Sequence, residues 1–399
     1  MLASMSGGRD EALERDRADP LASFRDRFVI ADPGLVYLDA NSLGRLPRST
    51  QERLQDAVAH GWGERLIRGW FEEWLELPTS VGDLIGSLVG AAAGQVLVAD
   101  STTVCLYKLA SAALDRAGGR TEIVIARDEF PTDRYVLEGL AEARGLGLRW
   151  IESAEEVVSA LGQKTALVVL SHVNYRSAVV APLDEITALA HDAGALVLWD
   201  LCHSAGVLPL GLDAAGADLA VGCTYKYLNA GPGAPAFLYV RRDLQDELRQ
   251  PIWGWFGRRE QFRMPHGYEP ANGISAWLSG TPNVLALKAV EAGAELVAEA
   301  GVEAIAAKAR ALTDYVVELH DERLAPLDFT LGSPREAERR GAHVSVCRDD
   351  AEALCHALAK RGVITDFRMP NAIRLGCAPL STSYAEARNG VDRLVELAG

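Results

Sequence analysis

At 399 residues, 49% hydrophobic and 24% charged, the chain has an ordinary globular composition and a length that suits about two domains. Its 40 basic against 55 acidic side chains leave a net charge of −15, which disfavours nucleic acid or an anionic membrane as partner but not a local anion site. Six cysteines without a CxxC pair predict reduced, buried thiols rather than a metal site or disulfides.

Residues 1–24, opening MLASMSGGRDEALERDRADP, read as a flexible charged lead-in with no signal-like apolar core, and 25–60 as a segment that joins the small domain. No apolar run approaches the ~20 residues of a membrane helix, so a soluble cytoplasmic protein is expected. From about residue 95 the pattern alternates. Thr121–Phe130, Ala166–Asn174, Leu196–His203, Asp218–Tyr225 and Ala236–Arg242 read as strands, and Leu183–Ala195 as a helix that stops near Gly194. Continuous apolar strands between amphipathic helices predict an α/β fold, a large domain over 61–283 with a mostly parallel sheet covered on both faces. Over 284–399 a long helical stretch and short strands such as HVSVCR and AIRLG predict a linking helix and a smaller α+β domain.

Ligands of such sheets lie beyond the carboxyl ends of the strands. There the chain places Asp100, Ser101, Thr102 and Thr103 before a helical run, either a plain N-cap or an anion site. Phe130 and Asp133 follow the next strand, either as a turn around Pro131 or as an aromatic platform with a polar neighbour. Asp200 ends a very apolar run, where a lone carboxylate is costly, and His203 follows three residues on. The pair is either a structural contact or a carboxylate for a protonated heterocyclic nitrogen with an imidazole beside it. Lys226 stands between Tyr225 and Tyr227 before NAGPGAP, either snorkelling or poised to condense with an aldehyde. Phosphate site, aromatic plate, carboxylate and amine together describe pyridoxal 5′-phosphate (PLP).

The stretches LDANSLGRLP, ADSTTVCLYKL, FPTDRY, LSHVNYRSA, WDLCHSAG, GCTYKYLNAGPGAPAFLYV, GWFGR and LSGTP occur in this order, and from about residue 25 onward the chain resembles the kynureninase family. That resemblance implies a fold-type I PLP enzyme of the class V aminotransferase-like superfamily. It implies a homodimer with shared active sites that hydrolyses L-kynurenine to anthranilate and L-alanine in tryptophan breakdown and NAD biosynthesis. By the same resemblance Lys226 forms the Schiff base, Asp200 pairs with the pyridine nitrogen with His203 beside it, Phe130 stacks on the ring and Asp133 lies near. Thr102, Thr103 and Tyr225 would hold the phosphate, with Trp255 and Thr281 reaching it from the second subunit. Arg374 would bind the substrate carboxylate, while Ser42 and Trp70 would line its aromatic end. Tyr225 is also the candidate proton donor, its phenol made more acidic by the neighbouring cation.

Gly280-Thr281 with Trp70 resembles the type that prefers kynurenine over 3-hydroxykynurenine. Ala40, Ala230, Ser381 and LELPTSVGD depart from the family pattern, which leaves open a modified kynurenine of a specialised pathway. Desulfuration and transamination are the other PLP reactions to weigh. A desulfurase needs a mobile nucleophilic cysteine, and Cys347, Cys355 and Cys377 read as strand, helix and strand-end residues.

Overall fold

A computed structural model describes residues 2–399. The apolar runs assemble into one seven-stranded sheet of β1 (Val96–Ala99), β2 (Glu122–Ala126), β3 (Gly147–Ile151), β4 (Thr165–Ser171), β5 (Leu196–Asp200), β6 (Leu219–Gly222) and β7 (Ala236–Val240). The order across the sheet is β1-β7-β6-β5-β4-β2-β3. Only β7 runs against its neighbours, so the carboxyl ends of the other six share one edge. Along β2, Ile123 and Ile125 enter one core while Val124 and Ala126 enter the other. Burial of both faces is why these strands read as unbroken apolar runs. They end earlier than the apolar text does, at Ala126, Ser171 and Asp200, because the residues beyond turn away to build the site. Edge strand β3 escaped the sequence reading, since its alternate residues face solvent.

The helical stretch after residue 284 is two helices, Val284–Ala300 and Val302–Leu319, broken at Gly301 (φ +80°). Beyond them His343–Cys347 pairs antiparallel with Ala372–Gly376 and Thr330–Leu331, and Asp366–Arg368 completes this second sheet. Val36–Tyr37 pairs in parallel with Val363–Ile364, which ties part of the 25–60 segment to this end of the molecule.

The lead-in expected to be flexible is a docked helix, Leu2–Ala18. Ala12 is wholly buried, and the Asp16 carboxylate accepts from the Tyr384 amide (2.7 Å) at the start of the last helix. Arg15 pairs with Glu318 (2.8 Å), and Asp19 with nearly buried Lys308 (2.6 Å). Charge rather than an apolar stripe anchors this segment, so hydrophobic periodicity gave no sign of it. Among the described residues no helix is long and apolar enough to cross a membrane. All six cysteines are buried free thiols.

Candidate active site

The shared strand edge delivers one group after another to a cavity of about 200 Å³. After β1 the chain turns sharply at Asp100 (φ +50°) into the helix Thr102–Asp115. Lys108, wholly buried, fixes that turn by donating to the Asp100 carboxylate (2.6 Å) and the Trp277 carbonyl (2.9 Å). Ser101 caps the helix, its hydroxyl accepting from the Val104 amide (3.4 Å). Ser101, Thr102 and Thr103 line the cavity, so hydroxyls and first-turn amides meet there, as an anion requires.

After β2, Phe130 precedes Pro131 at the start of the helix Pro131–Arg144, and its ring meets Tyr175 edge-on at 5.4 Å. Asp133 is 1% exposed, and both its carboxylate oxygens lack a protein partner. Burial first, then the charges of Asp200 and Glu129, push its carboxyl well above the usual range. Glu129 accepts from the Ser171 amide (2.9 Å) and hydroxyl, and burial raises it to about 8. Asp200 ends β5, its Oδ1 accepting from the Cys202 amide (2.6 Å).

Lys226, on the loop between β6 and β7, brings Nζ within 3.2 Å of His203 Nε2. Burial first and the Lys226 charge second hold the imidazole neutral, which suits Nε2 to accept from Nζ. The loop is gripped from two sides. The Gly44 amide donates to the Tyr225 carbonyl (2.8 Å), and a Cβ on Gly44 would lie 2.2 Å from the Lys226 carbonyl oxygen. A Cβ on Gly293, in the helix Val284–Ala300, would lie 2.0 Å from the Leu228 carbonyl oxygen.

Tyr225 corrects an expectation. Its phenol is shifted upward, by burial first and then by the neighbouring Cys223 and Cys202 sulfurs. Lys226 Nζ stands 6.0 Å from the ring centre, too far to outweigh them. The two thiols are themselves paired. Cys202 is raised by its hydrogen bond to Cys223. Burial opposes ionisation of Cys223, yet that bond and the Lys226 charge leave it the more acidic.

Thr102, Thr103, Phe130, Asp133, Asp200, His203, Tyr225 and Lys226 therefore share one cavity, and Arg374, Ser42, Trp70, Trp255 and Thr281 do not line it. Arg374 is buried behind Tyr175. It donates through Nη1 to the Tyr175 carbonyl (2.6 Å), through Nε and Nη2 to Asp366 (Nε–Oδ1 2.7 Å), and through Nη2 to Ser42 Oγ (3.2 Å). Thr281 lines a neighbouring hollow that shares Gly233 with the cavity. Trp70 and Trp255 both pack on Phe256, at 5.3 and 4.4 Å between ring centres. Sequence reasoning missed Thr132, Ser171, Tyr175 and Cys202 in the lining. Ser171 closes a strand and Cys202 sits two residues past Asp200, the position that flagged the others.

The lining fits PLP: an anion cradle, an aromatic platform, an amine, and a pair of buried carboxyls, one with unpartnered oxygens, at hand for a ring nitrogen.

A family model of the kynureninase C-terminal domain matches residues 305–394. Among solved structures, the chain is similar to the apo cysteine desulfurase of Thermococcus onnurineus NA1 (TM-score 0.79, 18% identical, 91% of this chain and 94% of the other). It is also similar to a C-DES variant with glycine covalently linked to its PLP cofactor (TM-score 0.81, 20% identical, 91% and 97%). At these identities the likeness is one of fold. A curated kynureninase of Pseudomonas fluorescens is 43% identical over 98% of this chain and 95% of its own length. At that identity over nearly its full length, and with these groups gathered on one sheet edge, the chain belongs to the kynureninase family.

Proposed function

We propose that this protein hydrolyses L-kynurenine to anthranilate and L-alanine with PLP held in the cavity at the strand ends. The observation that carries this reading is the meeting of Lys226, Asp200 and the Thr102–Thr103 helix start in one cavity of a kynureninase-family chain. Bound there, the cofactor supplies an aldehyde for the substrate amine and an electron sink for bonds broken at the α- and β-carbons.

Lys226 would hold the cofactor through its aldehyde, and its amine, once free, would be the base for the substrate α-proton. Neutral His203, 3.2 Å away, accepts a hydrogen bond from Nζ and orients it. Asp200, with Asp133 beside it, would serve the ring nitrogen, and Phe130 would cover the ring. Thr102, Thr103 and Tyr225 would hold the phosphate. Water adds to the γ-carbonyl, the Cβ–Cγ bond breaks, and Tyr225 gives a proton to the β-carbon. A phenol shifted upward keeps its proton until a strongly basic carbon forms, so the raised value suits a donor. Arg374 binds the α-carboxylate. Asp366 fixes its Nε–Nη2 edge, leaving Nη1 and Nη2 to exchange the neutral Tyr175 carbonyl and Ser42 hydroxyl for a charged partner.

A homodimer with shared sites completes the reading. Phe71, Phe262 and Trp255 form an exposed aromatic run, with ring centres 5.2 and 5.7 Å apart, continuous with Phe256 and Trp70. Such a patch marks a contact surface, and a second copy seated on it would supply Trp255 and Thr281 to this cavity. Gly280, Thr281 and Trp70 support kynurenine over 3-hydroxykynurenine as the substrate, in tryptophan breakdown. Desulfuration is disfavoured because Cys347, Cys355 and Cys377 are buried in a strand, a helix and a strand end, and Cys202, which lines the cavity, is packed against Cys223 rather than carried on a mobile loop.

The test mixes purified protein, PLP and L-kynurenine and follows anthranilate fluorescence. Equimolar anthranilate and alanine are expected. A borohydride-reducible chromophore with no product from kynurenine or 3-hydroxykynurenine would sink the reading.

A further inference from the structure

We propose that Cys202 and Cys223 form a redox-modification site, a thiol pair on the cavity wall that closes to a disulfide when the cavity is open to a small peroxide. The pair follows from strand register. Asp200 of β5 is partnered with Val221 of β6, and the Leu201 amide extends that ladder to the Val221 carbonyl (2.7 Å), so the next step sets Cys202 beside Cys223. Their contacts agree: the Cys223 amide donates to Cys202 Sγ (3.2 Å), and Cys223 Sγ lies 3.7 Å from the Cys202 carbonyl oxygen. Both cysteines sit just past the ends of β5 and β6, so these two backbone-to-sulfur contacts, rather than sheet spacing, place the side chains side by side.

Access comes from the cavity. Cys202 is 9% exposed and lines it with Thr102, whose hydroxyl stands 4.0 Å from Cys202 Sγ, while Cys223 is 2% exposed behind it. None of the other four cysteines lines the cavity. In the first step one thiol takes an oxygen from hydrogen peroxide, releasing water and leaving a sulfenic acid. In the second, the other sulfur displaces that hydroxyl as a second water, so two S–H bonds are exchanged for one S–S bond. A cofactor held by Thr102 and Tyr225 would cover this wall, so the filled enzyme should be protected and the empty one not. The protection rests on the cofactor reading above; the cross-link does not.

The experiment treats full-length protein, PLP-loaded and PLP-stripped, with hydrogen peroxide, then blocks free thiols and maps peptides by mass spectrometry. The stripped form is expected to yield a Cys202–Cys223 cross-linked peptide, reversed by dithiothreitol, and PLP loading to slow its formation at least about tenfold. Cys202→Ala should remove the cross-link and leave Cys223 alkylable after denaturation. No such peptide from the stripped protein, or equal rates in a sample whose PLP chromophore is present, would overturn the proposal. The chromophore on the same sample separates a failure of the cofactor reading from a failure of this one.

Discussion

Lys226 faces one cavity wall and is answered there by a neutral imidazole rather than a carboxylate. That choice leaves Nζ with no ion pair to break before it meets an aldehyde. Lys226→Ala is expected to abolish the borohydride-trapped adduct and lower kcat by about 10²–10⁴, the range of a lost acid–base group, while far-ultraviolet circular dichroism stays unchanged. Arg374→Lys keeps the charge but loses the fork. Hydrogen bonds to charged groups contribute about 1.5–3 kcal/mol, so KM for kynurenine should rise roughly 10–100-fold with kcat less affected. Buried Glu129 gives a pH prediction. Its folded value of about 8 lies above the 4.5 of a free carboxyl, so between these the folded protein keeps a proton that the unfolded chain releases. Stability therefore falls as pH rises through that window and levels off above it. Glu129→Gln should flatten the fall in Tm between about pH 5 and pH 8. An unchanged slope in thermal scans would contradict it.

The helix Val284–Ala300 matters because it presses on the loop that carries Lys226. Gly293→Ala puts a methyl group where the Leu228 carbonyl oxygen already sits. The loop or the helix must move, at a cost of about 1–3 kcal/mol by the usual penalty for overpacking, readable as a lower urea midpoint and weaker PLP retention. This element also shows where sequence reading stopped. Asp200, His203 and Lys226 were legible because each is a polar residue at the end of an apolar run, where burial without purpose is costly. Asp133 was legible from its place after β2. The contact of Gly293 with the lysine loop was not, since residues so far apart in sequence meet only through packing. The same holds for Arg374 with Asp366, whose partnership depends on two strands of the second sheet lying side by side. The amino-terminal helix was hidden for another reason: its anchors are ion pairs, and charge along a segment looks alike whether it is solvated or docked.

For the whole molecule the exposed aromatic run sets the assembly prediction. Phe71→Asp with Phe262→Asp should yield a monomer by light scattering and, if Trp255 and Thr281 act across subunits, an inactive one. Complementation tests the sharing directly. Lys226→Ala and Trp255→Ala subunits, each inactive alone, should on equal mixing regain about a quarter of wild-type activity, because half the dimers are mixed and each holds one intact site. No recovery after subunit exchange would show that both residues of a site come from the same subunit and overturn the sharing.

The place of β7 between β1 and β6 sets a timetable for the newborn chain. β1, which leads into Thr102 and Thr103, bonds to no strand except β7, about 140 residues later. At about 5–20 residues per second, a ribosome needs on the order of ten seconds to make that span. Until then the helix start meant for phosphate has no sheet to sit on, although Asp200 and its neighbours are already translated. Vitamin capture on the ribosome therefore has to wait for Val240, and a mutation that weakens β7 should first show itself as newly made protein that reaches full length without its cofactor.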